Sequence, residues 1–310
     1  MGMRILVVGA GSIGGYFGGR LMAAGRDVTF LVRERRAGML QKDGLKIVSP
    51  SGDLHIPDPK LVLSQEIDAP FDLIILSCKA YDLDEAVRSF SAGVGPRTLI
   101  LPLLNGMRHI DFLDNRFGQE HVLGGECMIS TTLDPDGTIR HLAPMQTLVF
   151  GARFDSQAQG AAEVARDLTN AGFDLQLSAN IMQDMWDKWV FIASSAGITT
   201  LLRASIGDIV AAGGNVLSVA LLEECIGIAA RSGYPSSTHV RERTQGMLTA
   251  AGSPMTASMM RDMENGARTE ASHIIGDLIA RSDNAATPLL NTVLINLQAY
   301  QNRRNREAQQ

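Results

Sequence analysis

One ammonium stands at the head of an apolar stretch. In MWDKWVFIASSAGITTLL, residues 185–202, Lys188 is the only positive charge and no charged residue follows it. Such a lysine has two readings. It snorkels from a core helix with its stem buried and its head in water, or it is kept as a cationic donor where apolar surroundings disfavour its charged form. Near the N-terminus, ILVVGAGSIGGYFGGRL sets G-x-G-x-x-G at Gly9, Gly11 and Gly14. In that spacing the first glycine permits a tight turn, the second lets the backbone approach a pyrophosphate, and the third allows helix to pack closely on sheet. With Ser12 and Ile13, the turn would offer the amide donors of a helix N-terminus to an anion. The alternative is a merely flexible turn, but the motif lies directly after a strand-like run and opens a helical pattern.

The end of the second strand chooses between dinucleotides. An acidic residue there holds the ribose hydroxyls of NAD, whereas an arginine pairs with the 2′-phosphate of NADP. FLVRERR ends that strand with Arg33, then Glu34, Arg35 and Arg36. Arg33 is read as the phosphate ligand and Arg36 as a second contact. The competing reading is a solvated charge run, and Glu34 leaves room for mixed cofactor use.

These residues need elements to position them. RILVVG (4–9), DVTFLV (27–32), DLIILSC (72–78) and TLILPL (98–103) are continuous apolar runs of the kind found in parallel strands covered on both faces. Helix-compatible segments lie between them, for example 13–24 and 82–94, so the order predicts a doubly wound α/β sheet. IRHLA (139–143) and QTLVFGA (146–152), separated by a proline, are expected to extend that sheet. Strand signals fade after about residue 157. Helices are expected at 159–172, 180–197, 214–232, 239–250, 266–283 and 288–306, with turns at GYPSS (233–237) and AGSPMT (251–256). The polar tail QNRRNREAQQ is expected to fray.

Composition narrows the function classes. The chain has 310 residues, 45% of them hydrophobic, enough for two ordinary domains. A net charge of −5 and no dense basic cluster argue against nucleic acid as a partner. Cys78, Cys127 and Cys225 are too widely spaced for a disulfide framework or a metal pair and suit a reducing, cytoplasmic setting. No leader pattern, myristoylation pattern or membrane-length apolar run is present, so a soluble protein is expected. The six histidines are scattered without metal-ligand spacing and are read as structural. MTASMMRDM is read as adaptable packing near a cleft. The sparsely charged segment 190–230 is compatible with a surface buried in a homodimer.

The chain resembles the ketopantoate reductase family, within the 6-phosphogluconate dehydrogenase-like superfamily. The resemblance runs from the glycine turn through LSCKAYDLDEAV, LLNGM, WDKWVF and SMMRDMENGARTEASHIIG. It implies an N-terminal Rossmann domain binding NADP over 1–170 and a mainly helical substrate and catalytic domain over 171–310, with the site between them. It also implies NADPH-dependent reduction of a branched 2-keto acid, as in the conversion of 2-dehydropantoate to pantoate in pantothenate biosynthesis. By the same resemblance Lys188 matches the catalytic lysine, Glu270 the site glutamate, Ser258 the serine that contacts substrate, Asn105 the asparagine near the nicotinamide and Lys79 the lysine beside the cofactor. The local readings that compete are a solvent-facing charge for Lys79, a turn former for Asn105 and a helix N-cap for Ser258.

The chemistry stands apart from the resemblance. Hydride addition to a ketone builds negative charge on oxygen, and a cationic donor such as Lys188 stabilises that charge and delivers the proton. Glu270, reaching the same cleft, would orient the lysine and help it keep its charge.

The chain departs from the family in one place. Positions four and eight beyond Lys188 share its helical face, and typical ketopantoate reductases carry substrate-holding asparagines there and at a third position about ten residues later. Here those positions are Ile192, Ala196 and Ile206. Each substrate hydroxyl buried without a partner would cost about 1 to 3 kcal/mol, unless Ser194, Ser195 or Thr199 compensates. A more apolar 2-keto acid, or another carbonyl or imine compound, is therefore kept beside ketopantoate as substrate. A non-catalytic NADP-binding sensor is the reading from a different class, and it needs neither Lys188 nor Glu270.

Overall fold

The computed structural model describes residues 2–308. The chain forms two compact units. One comprises everything up to Leu104 together with His109–Ile181, and the other Asn105–Arg108 together with the chain from Met182 onward.

The first unit contains the expected βαβ order. β1 (Arg4–Val8), α1 (Ser12–Ala23), β2 (Asp27–Leu31), α2 (Glu34–Asp43), β3 (Leu45–Val48), β4 (Leu54–Ile56), β5 (Leu61–Val62), β6 (Leu73–Leu76), α3 (Leu83–Phe90), β7 (Leu99–Pro102) and α4 (Arg108–Phe117) follow one another. One sheet has the order β5-β2-β1-β6-β7 with every pairing parallel. The continuous apolar runs are explained by that position: Ile5, Leu6, Val7, Leu73, Ile74 and Ile75 are all at 0% exposure.

The later strands do not extend this sheet. β8 (Gly124–Leu133), β9 (Ile139–Gly151), α5 (Ala158–Leu168) and β10 (Asp174–Leu177) complete the unit, and β8 to β10 join β3 and β4 in a second sheet. Residues 139–151 are one strand rather than two runs broken by a proline. The register against β8 shifts between Ile129, opposite Gln146, and Thr131, opposite His141, so Pro144 falls in the irregular part of the ladder, where its missing N–H breaks no regular pairing. Because β10 pairs with β9, the unit continues past residue 170 to Ile181.

Helix α1 lies against both sheets, and its glycines are the reason. A Cβ at Gly18 would come within 2.6 Å of the Phe30 ring on the first sheet. One at Gly19 would come within 2.8 Å of Leu45 on the second, and one at Gly15 would collide with Ile139. The core around this helix joins Phe17, Phe30, Leu73, Leu101, Ile139, Phe150 and Val164.

The second unit is helical: α6 (Ile181–Leu202), which begins at the division, α7 (Ile206–Ala211), α8 (Asn215–Arg231), α9 (Thr238–Leu248), α10 (Ser258–Glu264), α11 (Asp277–Ala280) and α12 (Pro288–Glu307). Gly197 on α6 permits close packing, since a Cβ there would meet Leu221 of α8 at 2.7 Å and Val293 of α12 at 3.4 Å. The helix expected over 266–283 begins only after Glu270, and its first part, Ser272–Gly276, is a π-helical stretch. The tail is more ordered than expected, because α12 runs to Glu307 and Arg304 donates to the Gly266 carbonyl at 2.7 Å. The last two residues of the tail lie outside the described residues. Among the described residues no helix is long and apolar enough to cross a membrane.

Candidate active site

In the first unit the chemistry-bearing residues gather at the carboxyl end of β1. Gly9 follows the strand with φ +90°, a conformation that favours glycine, and its N–H donates to the Leu31 carbonyl at 2.9 Å, tying the turn to the end of β2. Gly11 is the residue before α1, and no side chain caps that helix start. A Cβ built at Gly9 or Gly11 would meet nothing within 4 Å, so this side of the turn is open. Gly14 is the opposite case. A Cβ there would run into the Gly9 carbonyl and the Ser77 hydroxyl, which makes it the point where α1 closes on the sheet. Ser12 and Ile13, half-buried, open the helix. An open glycine turn leading into an uncapped twelve-residue helix fits the pyrophosphate of a dinucleotide.

The arginines of RERR separate in space. Arg33 precedes α2 at the end of β2 and pairs with Glu85 of α3 at 2.8 Å. Arg36 is tied to backbone within the unit. Its Nε donates to the Ala10 carbonyl at 3.0 Å and its Nη2 to the Gly137 carbonyl at 3.1 Å, while burial lowers its pKa. Arg36 thus staples the glycine turn to the β8–β9 connection. Lys79, half-buried, lies just beyond β6 at the start of the short turn Ala80–Asp82 that leads to α3.

In the second unit the residues on either side of Lys188 in sequence are anchored. Trp186 stacks on Tyr234 of the GYPSS turn with ring centroids 5.4 Å apart, and Asp187 accepts a 2.6 Å hydrogen bond from Ser236 of the same turn. Trp189 donates its indole N–H to the Ile274 carbonyl at 3.0 Å, and Arg281 lies 5.7 Å over its ring. Lys188 itself is half-buried. Ile274 is in turn one helical turn beyond Glu270, whose carbonyl accepts the Ile274 N–H at 2.9 Å. Lys188 and Glu270 are therefore one residue and one turn from the two ends of a single hydrogen bond. Glu270 is buried, at 9% exposure, where the wide π-helical turn begins.

The Asn105–Arg108 segment belongs to this unit. Gly106 has φ +78° and packs against His273, so that a Cβ on it would approach the imidazole within 3.3 Å. His273 is also hydrogen-bonded to the Asn105 backbone. Burial lowers its pKa, against the opposing charges of Glu270 and Asp277 and that hydrogen bond, with Arg108 acting in the same direction as burial. This histidine was not singled out by sequence, because its partners lie far away along the chain. Another histidine is structural in the expected sense: His141 contacts Ser49 Oγ at 2.8 Å and the Met145 carbonyl at 3.1 Å.

The remaining expected residues fall as follows. Ser258 is exposed and is the first residue of α10, with Ala257 in the cap position, so it is not the N-cap. Met259, Met260 and Met263 are buried. Ile192 is half-buried, and Ala196 and Ile206 are buried. The nearby hydroxyls are used by the helix itself. Ser194 Oγ donates to the Val190 carbonyl at 2.7 Å, Ser195 Oγ to the Ile192 carbonyl at 3.2 Å and Thr199 Oγ1 to the Ser195 carbonyl at 2.7 Å.

Known proteins resemble this chain over most of its length. The family model for ketopantoate reductase PanE/ApbA matches residues 5–153, and the model for its C-terminal part matches 180–301. An uncharacterized oxidoreductase of Bacillus subtilis, YkpB, is 37% identical over 302 residues, covering 96% of this chain and 99% of its own. The 2-dehydropantoate 2-reductase of Halobacterium salinarum is 27% identical over 296 residues, with 94% and 96% covered. Among solved structures, 2-dehydropantoate 2-reductase from Geobacter metallireducens superposes with a TM-score of 0.87 at 25% identity, covering 96% of this chain and 99% of that one. D-mandelate dehydrogenase, solved with NADH and anilino(oxo)acetate, shares the fold at a TM-score of 0.88 and 21% identity, with 98% and 99% covered. The chain belongs to the ketopantoate reductase family, a family of oxidoreductases.

Proposed function

We propose that this protein reduces a 2-keto acid to the 2-hydroxy acid with a nicotinamide dinucleotide, NADPH in preference to NADH, and that its substrate is more apolar than ketopantoate. The observation that carries the reading is the anchoring of Lys188. Both flanking tryptophans and Asp187 are fixed by partners, and the lysine among them is half-buried on a largely apolar helix. A snorkelling surface lysine needs no such frame.

When bound, the dinucleotide supplies the hydride that adds to the carbonyl carbon. Gly9, Gly11, Ser12, Ile13 and Gly14 would hold its pyrophosphate, Arg33 the 2′-phosphate, and Lys79 and Asn105 would lie along its length. Lys188 stabilises the charge developing on the carbonyl oxygen and gives that oxygen its proton. Glu270 orients the lysine, and Ser258 contacts the substrate.

The substrate preference rests on what the helix lacks. Ile192 and Ala196 offer no hydrogen bonds, and the hydroxyls of Ser194, Ser195 and Thr199 donate to their own helix carbonyls. A substrate hydroxyl acceptor in their vicinity gains no donor from them, at a cost of about 1 to 3 kcal/mol when buried. Ketopantoate itself, and with it a role in pantothenate formation, is the second reading, favoured by the curated 2-dehydropantoate 2-reductases that this chain is similar to.

The test is NADPH oxidation by purified protein with ketopantoate, its deoxy analogue and a panel of apolar 2-keto acids, with Lys188→Ala run in parallel. The expected result is turnover of the deoxy analogue at least equal to that of ketopantoate, and a loss of about 100-fold or more in the variant. A strong preference for ketopantoate overturns the apolar substrate. Undiminished turnover by Lys188→Ala overturns the role of the lysine.

A further inference from the structure

The Arg33–Glu85 ion pair occupies a particular place in the first unit. β2 and β6 flank β1 on either side. Arg33 stands just beyond β2, and Glu85 lies in the first turn of α3, the helix reached from β6. Two strand spacings, about 10 Å, separate those flanks, a gap that two extended side chains can close. Their 2.8 Å contact joins the two sides of the strand that carries the glycine turn. Both side chains are well exposed, Arg33 at 68% and Glu85 at 59%, so the pair is held by little else and opens at small cost.

We propose that Glu85 is the residue that limits the protein's discrimination between the two dinucleotides. It is a built-in carboxylate competitor for Arg33, which a 2′-phosphate displaces and an unphosphorylated ribose leaves in place. The proposal rests on the dinucleotide reading above. Its physical basis is the geometry of the guanidinium. A phosphate, like a carboxylate, presents two oxygens to the planar guanidinium and carries more charge, so it wins the arginine, but only after the existing pair is broken. NADPH binding therefore loses the strength of the Arg33–Glu85 pair, whereas NADH binding does not.

The experiment is a fluorescence titration of NADPH and NADH against the full-length protein, Glu85→Gln, Arg33→Ala and the double variant, at one low ionic strength. Glu85→Gln is expected to tighten NADPH by roughly two- to fivefold and leave NADH unchanged. In the Arg33→Ala background the same substitution is expected to have no effect on the NADPH to NADH ratio. Equal shifts for both dinucleotides, weaker NADPH binding in Glu85→Gln, or an effect that persists without Arg33 each overturn the proposal while leaving the dinucleotide site standing. Failure of the unaltered protein to bind either dinucleotide overturns the dinucleotide reading, and this proposal with it.

Discussion

The indole of Trp189 donates to the backbone carbonyl of Ile274 at 3.0 Å, joining the helix that carries Lys188 to the π-helical turn that follows Glu270. Both partners are buried, Trp189 at 1% and Ile274 at 3% exposure, so neither has water as a substitute. Trp189→Phe removes the donor to the carbonyl, at a cost of about 1 to 3 kcal/mol, and the smaller ring leaves a cavity that adds to it. The expected outcome is a lowered urea midpoint together with a fall in turnover, while dinucleotide affinity, carried by the first unit, stays constant. Equal loss of turnover and dinucleotide binding would show that the bond does not act through the lysine.

The glycines of α1 and α2 make a contrasting pair. Gly15→Ala drives a Cβ into Ile139, and overpacking of this kind costs about 1 to 3 kcal/mol. Gly38→Ala, on the exposed side of α2 with nothing within 4 Å of the new Cβ, is expected to stabilise by about 0.5 to 1 kcal/mol through helix propensity. Urea unfolding of the two variants should move the midpoint in opposite directions. A neutral Gly15→Ala would mean that α1 is not closely held by the second sheet.

His273 gives stability a pH dependence with a definite sign. Burial holds its pKa below the ordinary 6.5, so in the range beneath 6.5 the unfolded chain binds a proton that the folded chain resists. The unfolded state then carries more protons, and stability rises with pH. Its contribution is complete above 6.5 and declines as pH falls from there towards the folded-state value. Thermal unfolding of His273→Gln between pH 7.5 and 5.5 should show a shallower loss than the unaltered protein. Parallel curves would indicate that the imidazole takes up its proton equally well in both states.

The three thiols should differ in reactivity. Cys225 is fully buried on α8, and burial, reinforced by the charge of Glu224, pushes its thiol well above the ordinary range. Cys78 and Cys127 are only half-buried. With a disulfide reagent at pH 8, Cys225 is expected to react only on unfolding and at the unfolding rate. Prompt modification of all three thiols in the folded protein would contradict this packing.

Much of the site could be read along the chain because its signals are local. The glycine turn, the strand that feeds it and the helix that follows are consecutive, so Gly9, Gly11 and Gly14 announce their places by spacing alone. The parallel strands 4–8, 27–31, 73–76 and 99–102 were visible as apolar runs for the same reason, and the family resemblance rested on short motifs of that kind. Lys188 was conspicuous because it is the single cation in an apolar stretch of one helix.

Other features depend on partners hundreds of atoms away along the chain. Arg36 stood out in sequence as part of a charge run, and its bonds to the Ala10 and Gly137 carbonyls appear only in the fold. Gly15, Gly18 and Gly19 are explained only by the two sheets that meet α1. Pro144 breaks a local strand pattern, yet β9 continues through it because the partner strand shifts register at that point. His273 gains its meaning from Asn105 and Gly106, a segment that leaves the first unit to join the second. Periodicity records which face of an element is apolar, since burial acts on each residue where it stands. It cannot record which distant backbone carbonyl or ring arrives there, because that choice is made by the packing of whole elements, and so the staples and the surroundings of the site were decided only in the tertiary structure.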